Sequence, residues 1–141
     1  MGRRRVLGAL AALLGVWSAQ STAETGSRVL DLEHPQLSQR IDNTDSATFE
    51  FVRITVAGVT NPKRVGLLFV VAFIPDGGTG VQLGGFSLFP PDNPGAFIVS
   101  TRHLIHSAGV VVVTMHTATP VESGTSLLVT MGAIRLAHSR N

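Results

Sequence analysis

Along most of this chain, apolar side chains recur in short runs with a period near two, and turn residues separate the runs. Residues 48–59 (TFEFVRITVAGV) alternate cleanly. Phe49, Phe51, Arg53, Thr55 and Ala57 point one way; Glu50, Val52, Ile54, Val56 and Gly58 point the other. Both faces carry apolar groups, which predicts a central strand. Residues 65–74 (VGLLFVVAFI) form a continuous apolar run. Its length and β-branched content favour a strand covered on both faces over a helix. Further strands are predicted at 81–89 (VQLGGFSLF), 96–101, 109–117 (GVVVVTMHT) and 126–136 (SLLVTMGAIRL). Thr60-Asn61-Pro62-Lys63-Arg64, Pro75-Asp76-Gly77-Gly78 and Pro90-Pro91-Asp92-Asn93-Pro94-Gly95 supply the turns. Gly84-Gly85 inside a strand predicts a bulge or a close backbone approach. Residues 102–108 have room for one helical turn. Residues 24–47 are polar, broken by Pro35, and read as a lead-in with a short strand at 28–32. Together these runs predict an all-β fold: a single antiparallel β-sandwich of about six to seven strands over residues 48–138.

The segment before Glu24 breaks the pattern. Arg3-Arg4-Arg5 form a basic start, residues 7–17 (LGALAALLGVW) an apolar stretch, and Ser21-Thr22-Ala23 a small-residue cleavage site. This is the layout of an N-terminal signal peptide over 1–23, and it predicts a secreted or periplasmic protein. Arg3-Arg4-Arg5-Val6-Leu7 also fits the loose twin-arginine pattern, so two export routes stay open. The apolar stretch is too short for a membrane span, which needs about 20 residues, so no membrane attachment is expected after cleavage.

Cleavage also changes the charge. The whole chain has 11 Lys+Arg and 9 Asp+Glu; removing three arginines leaves eight basic against nine acidic, a net −1. The basic balance of the whole chain therefore gives no reason to expect nucleic acid. What remains from Glu24 onward is enough for one domain with one core. There is no cysteine. That excludes disulfides, blue-copper and iron–sulfur ligation, and a thiol nucleophile.

Catalytic constellations are missing as well. No serine sits in Gly-x-Ser-x-Gly. Gly77-Gly78-Thr79-Gly80 is followed by Val81 rather than by Lys and a helix, so it is a hairpin tip and no phosphate loop. The chain has no Tyr, and its one Trp is Trp17. Without Trp or Tyr platforms, sugar binding is not expected. No enzymatic activity and no required cofactor follow from this set. The one close pair of possible metal ligands is His103-x-x-His106. On a helical turn both would share a face, and His116 on a strand could join them; imidazole suits copper. A small periplasmic copper-binding protein using His103, His106 and His116 is thus one reading. Exposed loop histidines with no ligand are the other.

The order of the runs suggests a second function. VAGV at 56–59, LLFVVAFIPDG at 67–77, LGGFSLFP at 83–90, VVVVTMHTATP at 110–120 and LLVTMGAIRL at 127–136 follow one another. This series resembles the C-terminal β-sandwich domain of tyrosinase-type (type 3 copper) proteins, including plant polyphenol oxidases and haemocyanins. The likeness spans about residues 48–136 and rests on strand and turn features, not on catalytic residues. The copper-binding helices of a tyrosinase are absent. The resemblance implies a free-standing, exported version of a domain that caps a dicopper site with an apolar side chain. Such a protein would act in trans on a tyrosinase-like copper oxidase, keeping it latent or helping to load it. Phe86 and Phe89, in the Gly-x-Phe-x-Leu-Phe segment, and Phe97 after the proline loop are the candidates to enter the partner. For all three, packing in the core is the competing assignment, and alternation with Ser87 and Leu88 favours it for Phe86 and Phe89. A structural surface module with no small ligand is a third reading. Oligomeric state is not decided by these patterns.

Overall fold

Eight strands follow one another: β1 (Arg28–Leu30), β2 (Gln36–Ile41), β3 (Phe51–Thr60), β4 (Leu67–Pro75), β5 (Val81–Ser87), β6 (Gly95–Ser100), β7 (Gly109–Thr117) and β8 (Leu128–Ala137). They come from a computed structural model, which describes residues 28–42 and 49–138. The signal peptide expected at 1–23, and the parts 24–27 and 43–48 of the lead-in, lie outside the described residues. Among the described residues no helix forms.

The strands make two antiparallel four-stranded sheets, ordered β1-β8-β3-β6 and β2-β7-β4-β5. That is the strand order of a jelly roll, in which successive strands alternate between sheets except at the β4–β5 hairpin. Burial follows the period-two alternation. β3 buries Val52, Ile54 and Val56 and turns Arg53 and Ala57 outward. β4 and β7 bury Leu67, Phe69, Val71, Phe73, Val111, Val113 and Met115. These side chains join Leu30, Val129, Met131 and Ile134 of the other sheet in one apolar cluster. No disulfide is available, so burial of this apolar surface is the main stabilising term.

Three expectations are corrected here. Among the described residues the strand count is eight, not six or seven, because β2 rises from the segment read as lead-in. It is an edge strand whose one core side chain is Leu37, so it lacks an apolar run. β4 is covered on one face only: Leu68 and Ile74, each 43% exposed, lie on the other. Residues 102–108 hold no helical turn. Leu104 N–H donates to Thr101 C=O at 3.0 Å across Arg102 and His103, both left-handed with φ of 53° and 56°. Positive φ at both central positions makes this a type I′ turn. The glycine expectation holds in both its forms. The β4–β5 register slips between Val71 and Ala72, opposite Gly84 and Gln82. A Cβ on Gly85 would lie 2.6 Å from Phe69 O, so only glycine fits there.

This topology sorts the loops into two ends. The β1–β2, β3–β4, β5–β6 and β7–β8 loops share one end. The β4–β5 and β6–β7 loops share the other with the end of β2 and the start of β3; there Asp76 N–H donates to Ala108 C=O and Thr101 N–H to Glu50 C=O.

Candidate functional site

The β5–β6 loop, residues 88–94, is built around Pro90, Pro91 and Pro94, whose rings hold φ within a narrow range. Leu88 turns inward and is buried; Phe89 turns outward and is 93% exposed. No other large apolar side chain among the described residues is as open to solvent. A phenylalanine displayed this way loses the stabilisation that burial would supply, about 2–3 kcal/mol.

The loop is held from beneath. Asn61, 5% exposed, sits at the start of the β3–β4 turn. Its side-chain Nδ2 donates to Val65 C=O at 2.9 Å and to Pro91 C=O at 3.2 Å; its Oδ1 accepts from Val65 N–H at 3.0 Å. One buried amide therefore closes its own turn and fastens the neighbouring loop. Arg64 faces Asp92 at 3.7 Å, an exposed pair that adds little beyond register. Asn93 N–H donates to Pro90 C=O at 3.0 Å, closing a turn next to Phe89. The sequence showed Asn61 only as a turn residue. An Asn preceding Pro marks a side chain placed to bond nearby backbone, but nothing local shows that its second acceptor belongs to the β5–β6 loop.

Phe86 and Phe97 are used differently. Phe69, Phe86 and Phe97 form a column, with ring centroids 4.9 Å and 4.3 Å apart and planes within 14° of parallel. The column runs from β4 through β5 to β6, so it joins the edges of the two sheets. Such stacks contribute about 0.5–1.5 kcal/mol per pair beyond area burial. Phe86 and Phe97 are half-buried and packed against the core. Of the three candidate side chains, only Phe89 is fully open to solvent, against the inward placement that strand alternation suggested for it.

The histidines are dispersed. His103 and His106 are exposed in the β6–β7 loop, at the end opposite Phe89. His116 is exposed near the far end of β7, paired with Leu68 on the outer face. Seven strand positions separate it from Gly109, about 24 Å at 3.4 Å per residue. The structure thus places His116 apart from His103 and His106. Among the described residues, no group of three or more His, Asp or Glu stands close enough to hold a metal ion. His34 meets Asp31 at 3.2 Å, and His138 stacks on Phe49 at 4.6 Å.

On the Phe89 end, the β1–β2 and β7–β8 loops frame an open depression of about 630 Å³ whose lining includes Asp31, Glu33, Val121, Thr125 and Leu128. A hydrogen bond from His34 N–H holds the Asp31 carboxyl below its ordinary value, so that rim carries negative charge near neutrality. A convex aromatic tip and a concave acidic rim thus lie on one end of the molecule. Compared with known proteins, the chain matches no family model, no curated protein and no solved structure.

Proposed function

We propose that this chain is a non-catalytic, exported accessory protein that docks through the Phe89 end of an eight-stranded β-sandwich. Phe89 enters an apolar cleft of the partner. The single observation that carries this reading is a phenylalanine 93% exposed on a loop fastened from beneath by a buried asparagine. A preset loop loses little conformational freedom on binding, so more of the aromatic contact appears as affinity. Aromatic side chains that fill a desolvated pocket are typical binding hot spots. The resemblance to the cap of type 3 copper proteins supplies the partner class: a tyrosinase-like copper oxidase. Phe89 would occupy the mouth of its dicopper pocket and keep substrate out. The chain itself needs no copper for this role.

The test is a pull-down of the tagged protein from its native envelope fraction, with copper assayed in the eluate and Phe89→Ala run in parallel. The expected result is a copper oxidase recovered with the wild type and lost with Phe89→Ala. That oxidase should also be less active when the wild-type chain is added back. Equal recovery by both forms removes Phe89 from the interface. Copper recovered without an oxidase shifts the function to metal binding at His103 and His106.

A further inference from the structure

The outer face of the β1-β8-β3-β6 sheet carries a feature that the Phe89 end does not use. Arg53 of β3 and Arg135 of β8 are direct partners in the antiparallel register, and both are exposed. Directly opposed residues send their side chains to the same face with Cβ atoms about 5 Å apart. Two cations are therefore set side by side, an arrangement that repels. Two other arginines among the described residues are paired with carboxylates: Arg40 with Asp42 and Asp76, Arg64 with Asp92. Among the described residues, no carboxylate lies within ion-pair distance of Arg53 or Arg135.

The backbone next to the pair is shaped as well. The β3–β8 register passes from Ile54 opposite Ile134 to Val56 opposite Met131, so Gly132 and Ala133 together face the single residue Thr55. This bulge leaves a depression of about 530 Å³ lined by Arg53, Thr55, Gly132, Ala133 and Arg135 among others. Its floor is low because Gly132 and Ala133 have little or no side chain. A Cβ on Gly132 would come within 3.2 Å of Thr55 Cβ. Arg53, Arg135 and Thr55 give the lining two guanidinium groups and one hydroxyl as donors, and no lining residue is acidic.

We propose that Arg53, Arg135 and Thr55 form a binding site for a small doubly charged oxyanion, a phosphate group in particular. The planar guanidinium fork matches the oxygen spacing of phosphate and can donate two parallel hydrogen bonds. A dianion seated between the two arginines also cancels their repulsion. Binding is therefore linked to stability: the occupied protein melts at a higher temperature than the empty one.

The experiment is thermal melting of the wild type and of Arg135→Gln at constant ionic strength, with inorganic phosphate titrated against chloride and acetate as a second titrant. The wild type should show a saturating rise in Tm of a few degrees with phosphate and none with acetate. Arg135→Gln should melt higher than the wild type in chloride, because the repulsion is gone, and should lose the saturating rise. Phosphate also stabilises proteins generally by exclusion from their surface, without saturation; the variant measures that background. Equal response of the two forms, a rise that does not saturate, or acetate matching phosphate would each overturn the proposal, leaving an adventitious ion only. None of these outcomes depends on Phe89.

Discussion

The two ends of this molecule hold their loops by different means. At the Phe89 end, a buried neutral amide, Asn61, ties the β3–β4 and β5–β6 loops together. At the histidine end, Arg40 of β2 grips Asp76 of the β4–β5 hairpin through two hydrogen bonds, at 2.8 Å and 2.6 Å, in full view of solvent. Thr101 adds a hydroxyl bond to Phe49 C=O. A buried hydrogen bond leaves unsatisfied groups behind when it is cut; an exposed ion pair leaves two hydrated ions. The difference teaches where positional precision resides. Both ends bury one polar side chain that ties two segments, Asn61 at one and Thr101 at the other; the histidine end adds an exposed ion pair, and the Phe89 end sets its buried tie beneath an apolar side chain held in solvent.

The sharpest contrast lies within one segment, between Phe86 and Phe89. Phe86→Ala removes the middle ring of the column and should cost about 2–3 kcal/mol, measured as a shift in the urea midpoint. Phe89→Ala should leave stability within about 0.5 kcal/mol while abolishing recovery of the partner. If both substitutions destabilise alike, Phe89 is a packing residue and the contrast fails. Next in size is Asn61→Ala. It strands Val65 N–H and the carbonyls of Val65 and Pro91, and should cost about 2 kcal/mol. Affinity for the partner should fall in the same variant although Phe89 is intact. Unchanged affinity would show that the loop keeps its shape without Asn61.

Strand positions and turns were legible in the sequence because each is written locally. Alternation in residues 48–59 marks β3, and Pro75-Asp76-Gly77-Gly78 marks a turn in which Gly77 takes φ of 69° and Gly78 N–H meets Pro75 C=O. Edge strands are less visible. β2 buries Leu37 and turns Gln36, Ser38 and Arg40 outward, so its pattern resembles a polar loop. The candidate site was half legible. Phe89 stood among three phenylalanines, and period two cannot continue past Ser87, where β5 ends. Asn61 bonding Pro91 and Arg53 opposing Arg135 are register facts; they arise only when segments distant along the chain come together. The His103-x-x-His106 spacing suggested a helical face, but the backbone there turns left-handed.

At the histidine end, that left-handed pair is a strain that can be relieved. Neither Arg102 nor His103 is glycine, and in each the Cβ makes positive φ unfavourable. Arg102→Gly should raise stability by about 0.5 kcal/mol, the relief being partly offset by the greater freedom of glycine in the unfolded chain. A loss of stability would mean that the Arg102 side chain contributes more than its backbone costs.

The smallest effect tests the two kinds of fastening directly, through acid. Asp76 is held below its ordinary value of 3.8, first by the hydrogen bonds from Arg40. Asp31 is held below the same value, first by the backbone N–H of His34, which lies 2.6 Å from its carboxylate. A carboxyl depressed in the folded state contributes stability that is fully present above 3.8 and is lost as pH falls through the folded value. Melting temperature should therefore decline below about pH 4, on top of the general acid response, and both Asp31→Asn and Asp76→Asn should flatten that decline. Salt separates them. The Arg40–Asp76 attraction is exposed and screened, so about 1 M salt, with its Debye length of about 3 Å, should erase most of the difference between Asp76→Asn and the wild type. The Asp31 bonds from the backbone N–H groups of His34 and Glu33 are short contacts to neutral groups and should keep their share in salt, whereas its exposed contact with the His34 ring is screened. If both variants respond to salt alike, the two ends are fastened by the same physics after all.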